Sequence, residues 1–565
     1  MNFFRTRKTY RTALRVKQIA SVFLKYGFGR FIDQIRLSRY IPFITRLKTF
    51  GQWPALKAPA IGERMRLAFE ELGPSFIKLG QILSARPDLI GVEFADEFKK
   101  LQDEVPPFPA QEAKLLVEAE LGKKVSELFS HFHEEPLAAA SIAQVHAAVL
   151  KDGSRVVAKV QRPAIEETIE IDIEIMRTIA RLMEKNMPES RFFNPTGIIE
   201  EFAKTVRKEL NFIEEARNCD RFRKNFEYEP DIYFPQVFWE YTTEKVFVME
   251  RIDGVRIDNV KEIDRLGYDK KRLARLGVDA YFKMVFEDGF FHADPHPGNI
   301  LVMPTEQLGF LDFGIVGRVT DELKRTMANT FIALINRDFD RLIDSYIDLG
   351  LVPEETDPDV FRREFKSDIV DFLEPLYGLT IGQINFAESL QAVVKIAIKH
   401  NMRMPTDLLL IDKAMIILEN IGLQLDPDFD FIRASEPYAS KLVREKYSPT
   451  KIAREFGREI IDAGEFALHL PGQMRKIIRK VLRNDIHFKL HHLGLENLIR
   501  DMDRSSNRLA FAIVISALII SSAIMNATGV PPRILGQSVL GWIGFVLAGL
   551  LGVWLLISII RSGRL

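Results

Sequence analysis

Two short segments in the middle of the chain carry the residues with the clearest chemical potential. In the first, Asp294 is followed five positions later by Asn299, and in the second, Asp312 precedes Phe313 and Gly314. Phosphoryl transfer uses such a set, because one carboxylate orients the attacking group or accepts its proton while an amide and a second carboxylate hold Mg²⁺ on the phosphates. The spacing therefore indicates phosphoryl-transfer chemistry.

A lysine within an apolar strand pattern is a further candidate. Lys159 lies in Arg155–Val160, which follows a hairpin signal at Lys151–Ser154 and the small-residue stretch Leu137–Val145. A lysine at such a position is costly unless it meets an anion. The alternative is an edge strand from which Lys159 extends outward to solvent.

An earlier helical segment presents Lys78 and Gln81 on one face. Gly73 and Pro74 end one predicted helix and open the next, and the two polar residues are three positions apart in the second helix. A lysine and a glutamine on one helical face are usually exposed, so this pattern alone favours a solvated surface.

Two acids, Glu209 and Glu215, lie in a helical stretch predicted over residues 195–225. They are six positions apart, too far to share one helical turn. A helix interruption near Asn211 would let both carboxylates reach one site; otherwise most acids on this helix are solvated. Further along the chain, Glu250 opens a predicted hinge into a second lobe.

The remaining pattern alternates between short strands and long helices. Phe234–Val237 and Lys245–Met249 are predicted to be strands, and Tyr268–Glu287 is predicted to be an amphipathic helix leading to the Asp294 segment. Beyond Gly317 the chain is expected to be mostly helical to about Arg500.

Composition narrows the class of protein. The 565 residues suffice for two to four domains, and the formal net charge is zero. The single cysteine, Cys219, excludes an intramolecular disulfide and any CxxC metal site. The chain has no GxxxxGK[ST] phosphate loop and no GxGxxG after a strand. No nucleic-acid partner is expected.

The C-terminal region is apolar in two runs, Leu509–Ala527 and Val539–Ile560. Each run is long enough to cross the hydrocarbon core of a bilayer as a helix, so a transmembrane hairpin is predicted; a buried soluble hairpin is the alternative. Arginines flank the hairpin more densely than they occupy its loop. The positive-inside rule therefore predicts that both ends and the body of the protein lie in the cytoplasm.

Two basic segments suit a membrane surface. The N-terminal residues 11–30 alternate basic and apolar side chains, as does Met474–Arg483 just before the hairpin. Both patterns are typical of amphipathic helices on anionic lipid. For the N-terminal segment, a helix packed on the body of the protein is the alternative.

The order of these elements along the chain matches that of the functional elements of the protein-kinase fold. They are the small-residue hairpin, the strand lysine, the helix acids, the hinge, the D-x₄-N segment and the DFG segment. The departures from ordinary kinases are specific: Ala138–Ala140 replaces a glycine-rich loop, a KxGQ helix at Lys78–Gln81 precedes the lobes, and His292–Asp294 lacks the arginine of HRD. No APE motif follows DFG. This combination resembles the UbiB/AarF (coenzyme Q kinase-like) family of atypical protein kinases, most of all its bacterial UbiB members, over nearly the whole chain.

The resemblance implies roles at the positions that match the family's motifs. Lys159 would contact the α- and β-phosphates of ATP and pair with Glu215, Asp294 would be the catalytic aspartate, and Asn299 with Asp312 would hold Mg²⁺. The implied nucleotide-binding residues are Leu137, Ala138, Ala139, Ala140, Ser141, Ile142, Ala143, Gln144, Val145, Lys159 and Glu250.

The same resemblance assigns the residues outside the kinase core. Lys78 and Gln81 would cover the place where a protein kinase holds its peptide, and Glu209 would be the first acid of an ExD motif whose third position here is Asn211. Alanines in the nucleotide loop stiffen it and limit the approach of its backbone to phosphates. We therefore expect an altered ATP/ADP preference and poor peptide phosphorylation.

The expected fold is α+β: an atypical protein-kinase-like bilobal fold with a helical N-terminal extension and a C-terminal transmembrane helical hairpin. The expected divisions are a basic amphipathic region (1–60), a KxGQ extension (61–135), an N-lobe with inserted helices (136–253), a helical C-lobe with membrane-proximal helices (254–500) and two transmembrane helices (509–560).

The expected function is that of a membrane-anchored kinase or ATPase that supports ubiquinone or another isoprenoid-quinone pathway, with anionic lipids, quinone precursors and quinone-biosynthesis enzymes as partners. Two alternatives remain open. One is a small-molecule kinase, and the other is a nucleotide-gated scaffold or lipid-extraction factor without catalytic activity.

Overall fold

The computed structural model describes most of the chain in two compact units, Met1–Glu455 and Phe456–Leu565. The described residues are 2–36, 59–84, 86–101, 105–187, 190, 194–335, 338–348, 350–352, 356–375, 386–402, 404–431, 433–435, 437–438, 441, 495–534 and 537–561. The predicted surface helix at Met474–Arg483 lies outside these residues.

Helices dominate the first unit. Those before the first sheet are α1 (Asn2–Lys25), α2 (Gly29–Gln34), α3 (Ile61–Leu72), α4 (Pro74–Ser84), α5 (Pro87–Ile90), α6 (Val92–Phe98), α7 (Ala110–Leu121) and α8 (Val125–Leu128). Those that follow are α9 (Ile165–Asn186), α10 (Pro195–Glu209), α11 (Phe212–Asn225), α12 (Val260–Leu266), α13 (Lys270–Phe282), α14 (Asp321–Ile335), α15 (Phe339–Asp348), α16 (Pro358–Leu373), α17 (Phe386–Lys399) and α18 (Thr406–Leu425).

The strands of the first unit are short apart from the first three. They are β1 (Phe129–Ala139), β2 (Ala143–Leu150), β3 (Arg155–Gln161), β4 (Ile232–Tyr233), β5 (Val246–Glu250), β6 (Val255–Arg256), β7 (Phe290–His292), β8 (Ile300–Val302), β9 (Leu308–Phe310) and β10 (Val316–Arg318).

The N-lobe is an antiparallel sheet in the order β1-β2-β3-β5. Alternation along β3 sends Val156, Ala158 and Val160 into an apolar layer under α7, while Val157 and Lys159 face the other side. Because β3 lies between β2 and β5, the edge-strand alternative for Lys159 is wrong. The side chain is forced into the interior between the sheet and the helices.

The helical stretch predicted over residues 195–225 is two helices, so the interruption near Asn211 that would bring Glu209 and Glu215 toward one site is present. α10 ends at Glu209, and Asn211 becomes the N-cap of α11 because its Oδ1 accepts a hydrogen bond from Ile213 N at 3.0 Å. The change of direction lets acids from both helices point toward one place.

Two small sheets organise the second lobe, in the orders β4-β9-β8-β6 and β10-β7. The predicted strand Phe234–Val237 is wrong in its position: the strand is Ile232–Tyr233, and Val237 makes only an isolated bridge to Met249. Pro235 lacks an N–H and cannot continue a ladder. The predicted helix Tyr268–Glu287 is α13 followed by a π-helical turn at Lys283–Asp288.

α1 packs against the body of the protein. Its apolar residues Ile19, Ala20 and Val22 are buried, and Arg15 donates to both carboxylate oxygens of the fully buried Asp172 on α9, at 2.7 and 2.8 Å. The expectation that this apolar face lies on a membrane is therefore wrong, because the face is covered by the protein. The packed-helix alternative holds for the described part of the segment.

The Arg15–Asp172 pair gives a stability prediction. Arg15→Met leaves a buried carboxylate without its cation and is expected to lower the free energy of unfolding by about 3 kcal/mol. Arg11→Met is the matched control, since Arg11 pairs with Glu167 at 2.7 Å on the same helix but in solvent, and its loss is expected to cost under about 1 kcal/mol. Urea unfolding of the full chain in detergent measures both, and equal effects would contradict the assignment.

The second unit contains two long helices, α19 (Leu495–Thr528) and α20 (Val539–Arg561), joined through the short strands β11 (Arg533–Ile534) and β12 (Gln537–Ser538). Gly541 and Gly544 of α20 approach Ser522 of α19 so closely that a Cβ atom at either position would overlap it. Both helices are long and apolar enough to cross a membrane. The hairpin predicted from the sequence is present as a structural element.

Candidate active site

The Lys159 ammonium lies at the centre of the site. Its Nζ is 2.6 and 2.9 Å from the two carboxylate oxygens of Glu215 on α11, and 3.7 Å from Oδ1 of Asp312. Thus β3 carries the lysine, α11 carries Glu215, and the segment after β9 carries Asp312. The anion that a lysine inside an apolar strand requires is present.

The charges of Lys159 and Asp312 stabilise each other, whereas burial and the nearby Asp312 carboxylate raise the pKa of Glu215 above its ordinary value despite its contact with Lys159. Burial alone would lower the pKa of Lys159, but the carboxylates of Asp312 and Glu215 outweigh burial and raise the pKa above its ordinary value. In turn, the Lys159 ammonium lowers the pKa of Asp312 to about 2. Both groups therefore stay charged at neutral pH, and Asp312 is ready to bind a cation.

Lys78 reaches the same site from α4. Its Nζ is 3.3 Å from Oε2 of Glu209 at the end of α10, and both residues are buried, with 9% and 8% of their surfaces exposed. The solvated-face interpretation of Lys78 is therefore wrong. The Lys78 charge also contributes to the lowered pKa of Asp312. Gln81 lies half-buried on the same helix.

The small-residue loop connects β1 to β2 at the edge of the site. Ala140 N donates to Ala143 O at 2.8 Å, which closes the turn around Ser141 and Ile142. Arg162 holds the turn from outside, because its N donates to Ile142 O at 2.8 Å and its Nη2 donates to Ala140 O at 3.2 Å. The loop is therefore fixed at both ends.

Two residues assigned to nucleotide binding direct their side chains elsewhere. Gln144 is fully buried, and its amide exchanges two hydrogen bonds with the backbone of Phe108 in the linker before α7, at 3.1 and 3.2 Å. Glu250 accepts from Tyr233 Oη at 2.8 Å and from Gln236 N at 3.2 Å. These side chains support the loop and the hinge, so their contact with a nucleotide would come from the backbone.

The other loop positions differ in exposure. Ile142 and Ala143 are buried, Val145 is half-buried and packs against the core, and Ser141 is fully buried. The exposed and half-exposed positions are Leu137, Ala138, Ala139 and Ala140. The end of β1 and the turn therefore present the accessible face of the loop.

The Asp294 segment follows β7 directly. Asp294 N donates to Nδ1 of the buried His292 at 3.2 Å, and Asp294 O accepts from Nδ2 of Asn299 at 3.2 Å. His292 in turn contacts Leu311 O through Nε2 at 3.1 Å. These bonds tie the aspartate, the amide and the start of the DFG segment into one rigid loop.

Packing fixes the position of Asp312. Its φ of +56° is a left-handed conformation that a non-glycine residue adopts at a cost, and its Oδ1 accepts from Gly314 N at 3.2 Å. Phe313 is fully buried among aromatic rings that include Phe222, and its carbonyl accepts from Asn218 Nδ2 at 3.0 Å. The buried Phe313 and these hydrogen bonds thus hold the Asp312 backbone in this conformation, with the half-exposed carboxylate 3.7 Å from the Lys159 ammonium.

The donor set fits a magnesium ion bound to phosphates. Asp312 offers carboxylate oxygens, and Asn299 uses its Nδ2 on Asp294 O, which leaves its amide oxygen for a cation. Hard oxygen donors of this kind, few in number, are typical of Mg²⁺ that keeps water and phosphate ligands. Among the described residues, no group of three or more His, Cys, Asp and Glu side chains forms a separate metal site.

One functional candidate escaped the sequence analysis. Lys413 on α18 places its Nζ 2.9 Å from Oδ1 of Asp294. The available signal was the charged pair Asp412–Lys413 inside the otherwise apolar run Leu408–Leu418. Its meaning depends on where α18 packs, and the pattern alone does not give that.

Asp412, next to this lysine, gives a pH prediction. Burial raises the pKa of Asp412 to about 7. The folded protein therefore keeps a proton on Asp412 that the unfolded chain releases above about pH 4. As a result, the free energy of unfolding falls as the pH rises from there to about 7, by at most about 1.4 kcal/mol per pH unit. Asp412→Asn should remove this dependence. Urea unfolding of both proteins between about pH 4 and 7 should show that the unfolding free energy of the variant rises relative to that of the wild type as the pH increases. Parallel plots of unfolding free energy against pH would contradict the prediction.

Comparison with known proteins agrees with the geometry. Residues 100–346 match the model of the ABC1 atypical kinase-like domain, residues 369–430 match the UbiB helical domain, and residues 493–561 match the ABC1/UbiB kinase-like C-terminal domain. The chain is 38% identical over 502 residues to a probable protein kinase UbiB from Aeromonas salmonicida, covering 87% of this chain and 89% of that protein.

Two further comparisons give the range of similarity. A probable protein kinase UbiB from Pseudomonas fluorescens Pf-5 is 39% identical over 424 residues, covering 74% of this chain and 78% of the relative. The solved complex of Rv3197 with erythromycin from Mycobacterium tuberculosis shares 24% identity and a TM-score of 0.44, covering 62% of this chain and 85% of its own, which is a distant overall likeness.

The chain is a kinase-like protein of mixed helix and sheet. The features that define it are the antiparallel N-lobe sheet, the strand lysine with its helix acid, and the D-x₄-N and DFG segments. Its helical extension and its two apolar C-terminal helices separate it from ordinary protein kinases. The chain belongs to the UbiB family of atypical kinase-like proteins.

Proposed function

We propose that this protein is a membrane-anchored ATP-binding phosphotransferase or ATPase that serves the biosynthesis of ubiquinone or another isoprenoid quinone. The observation that carries the proposal is the Lys159 cluster, in which a buried ammonium contacts Glu215 and lies 3.7 Å from Asp312. This arrangement supports phosphate binding by the ammonium group and metal binding by the carboxylate.

Each residue has a role in the proposed reaction. Lys159 contacts the α- and β-phosphates, Asn299 and Asp312 hold Mg²⁺, and Asp294 orients the attacking hydroxyl and receives its proton. Held by Asn299 and Asp312, Mg²⁺ would supply positive charge that offsets the negative charge of the transferring phosphoryl group. The nucleophile's oxygen forms a bond to the γ-phosphorus as the bond to ADP breaks.

The acceptor is proposed to be water or a small lipid-like hydroxyl. The buried pair Lys78–Glu209 joins α4 to the end of α10, and the Lys78 charge acts on Asp312 of the proposed phosphate site. Breaking a buried ion pair without replacing its partners costs several kcal/mol. A peptide that had to displace this pair would therefore be a poor acceptor, which supports a small one.

The membrane part of the proposal is supported by α19 and α20, which are long and apolar enough to span a bilayer. With arginines concentrated outside the hairpin loop, both ends of the hairpin are assigned to the cytoplasmic face of the bacterial inner membrane. Anionic lipids, quinone precursors and quinone-pathway enzymes are the proposed partners, and the relatives' name UbiB supports the quinone pathway.

The test follows the γ-phosphate. The full chain is reconstituted in liposomes that contain a polyprenyl phenol and incubated with γ-labelled ATP, and label is measured in free phosphate, lipid and protein. Label in phosphate or lipid, absent from Asp294→Asn, supports the proposal. ATP binding without any cleavage would favour the nucleotide-gated scaffold instead, and label transferred efficiently to an added peptide would contradict the small acceptor.

The quinone assignment has its own test. In a bacterial strain that lacks its family member and makes little quinone, the wild-type chain is expected to restore quinone content, whereas Asp294→Asn is not. Restoration by both proteins would contradict a catalytic role in this pathway.

A further inference from the structure

An ion pair joins the helical region to the centre of the proposed site. Lys413 of α18 and Asp294 of the loop after β7 are 119 positions apart, yet their charged atoms are 2.9 Å apart, and each side chain is about one-third exposed, at 37% and 33%. Lys413 lies in the part of the chain that matches the UbiB helical domain, outside the part that matches the kinase-like domain.

The backbone of Asp294 is fixed locally, but its carboxylate is not. His292 and Asn299 bind the main-chain N and O of Asp294, and neither contact restricts rotation of the side chain about its two torsions. In the described part of the chain, Lys413 is the cation that contacts this carboxylate. The orientation of the carboxylate therefore depends on a residue from another region.

Lys413 is itself carried on a firmly held helix. Leu409, Ile411 and Ala414 on α18 are buried in the core, and Asp407 Oδ1 at the start of the helix accepts from Arg318 N of β10 at 3.1 Å. β10 pairs with β7, the strand that ends two residues before Asp294. The lysine and the carboxylate are thus positioned through the same two-stranded sheet.

We propose that Lys413 is a positioning residue for phosphoryl transfer: it holds one oxygen of Asp294 so that the other oxygen faces the nucleophile. The inference rests on the proposed function and adds a residue of the helical region to it. A charge-assisted hydrogen bond to Oδ1 fixes the carboxylate plane, and Oδ2 remains to accept a hydrogen bond from water or a hydroxyl. The helical region is then required for turnover as well as for stability.

The experiment replaces Lys413 with methionine, which keeps the length of the side chain and removes its charge. The matched control is Lys366→Met, because Lys366 on α16 pairs with Asp340 at 2.7 Å with 41% of its side chain exposed, just before the part of the chain that matches the UbiB helical domain and outside the described contacts of Asp294. In Mg-ATP hydrolysis by the full chain, Lys413→Met is expected to lower kcat about 10- to 100-fold with little change in KM, whereas Lys366→Met is not. Lys413→Arg should keep more activity than Lys413→Met.

A double-variant comparison separates positioning from a merely structural role. If Lys413 acts through Asp294, Lys413→Met should cause no further loss in an Asp294→Asn background. An equal further loss there would overturn the proposal, as would a kcat at the wild-type level in Lys413→Met. The proposal would also be overturned if Lys413→Met lost more ATP affinity and more unfolding free energy than Lys366→Met, and if those losses accounted for the lower rate.

The outcomes also separate this inference from the proposed function. Wild-type protein that binds ATP without cleaving it would overturn both. Wild-type turnover that depends on Asp294 but not on Lys413 would overturn the inference alone. Turnover that depends on both residues, with no additional effect of the second substitution, supports both.

Discussion

Asp294→Asn is expected to lower Mg-ATP turnover by about 10³-fold while leaving ATP affinity nearly unchanged, because the carboxylate acts on the nucleophile and not on the nucleotide. The substitution keeps the shape of the side chain and retains a hydrogen-bonding partner for Lys413, 2.9 Å away in the wild-type protein. Steady-state phosphate release and equilibrium binding of ATP measure the two quantities separately.

The matched control for this substitution is Asp279→Asn on α13. Asp279 has the same side-chain exposure as Asp294, 33%, and also pairs with a basic residue, Arg275, at 3.0 Å. Because it lies on the surface of α13, its loss should leave turnover unchanged. Equal losses in the two variants would mean that the effect is one of general stability and would remove Asp294 from the mechanism.

Lys159→Met is expected to weaken ATP binding about 10- to 100-fold, since one charge-assisted contact to the phosphates is lost. It is also expected to destabilise the N-lobe by about 3 kcal/mol, because the buried carboxyl group of Glu215 loses the cation that it contacts. Fluorescent-nucleotide titration and urea unfolding measure these effects on the same preparations.

The double variant Lys159→Met/Glu215→Met separates the two effects. Removing both members of a buried pair restores much of the stability lost when one is removed. The free energy of unfolding should therefore return toward the wild-type value. ATP binding should not return, because no cation replaces Lys159. Recovery of binding in the double variant would contradict phosphate recognition by Lys159.

The parts of the site that the sequence predicted are those governed by local chemistry. Lys159 in an apolar strand required an anion, and the structure provides Glu215 at 2.6 Å. A break near Asn211 was one of two possibilities that the sequence left open, and the structure has it, with Asn211 as the N-cap of the second helix. The helix boundary at Gly73 and Pro74 likewise followed from backbone constraints.

The parts that the sequence did not predict depend on which surfaces pack together. The apolar stripe of α1 suited a membrane and a protein core equally, and its burial against the protein, together with the contact between Arg15 and Asp172, decided between them. Lys78 belonged by pattern to a solvated face, yet its helix packs where Glu209 meets it. Amphipathicity reports that a face is apolar or polar, but not what covers it.

Lys413 shows the same limit at the site itself. A single lysine in an apolar helix has several ordinary explanations, and its pairing with Asp294 requires the chain to return over 119 positions. Gln144 shows the converse: it belongs to the nucleotide loop by position, but its side chain binds the backbone of Phe108. Motif positions predicted where the backbone lies better than where each side chain points.

The site around Lys159, Asp294 and Asp312 is proposed to cleave the β–γ bond of ATP with Mg²⁺. This is tested by the release or transfer of labelled γ-phosphate by the full chain in liposomes, titrated with Mg²⁺, for the wild type and Asp312→Asn. Saturable Mg²⁺-dependent cleavage is expected of the wild type and not of Asp312→Asn. Wild-type protein that binds ATP but leaves the γ-phosphate in place at every Mg²⁺ concentration would contradict this proposal.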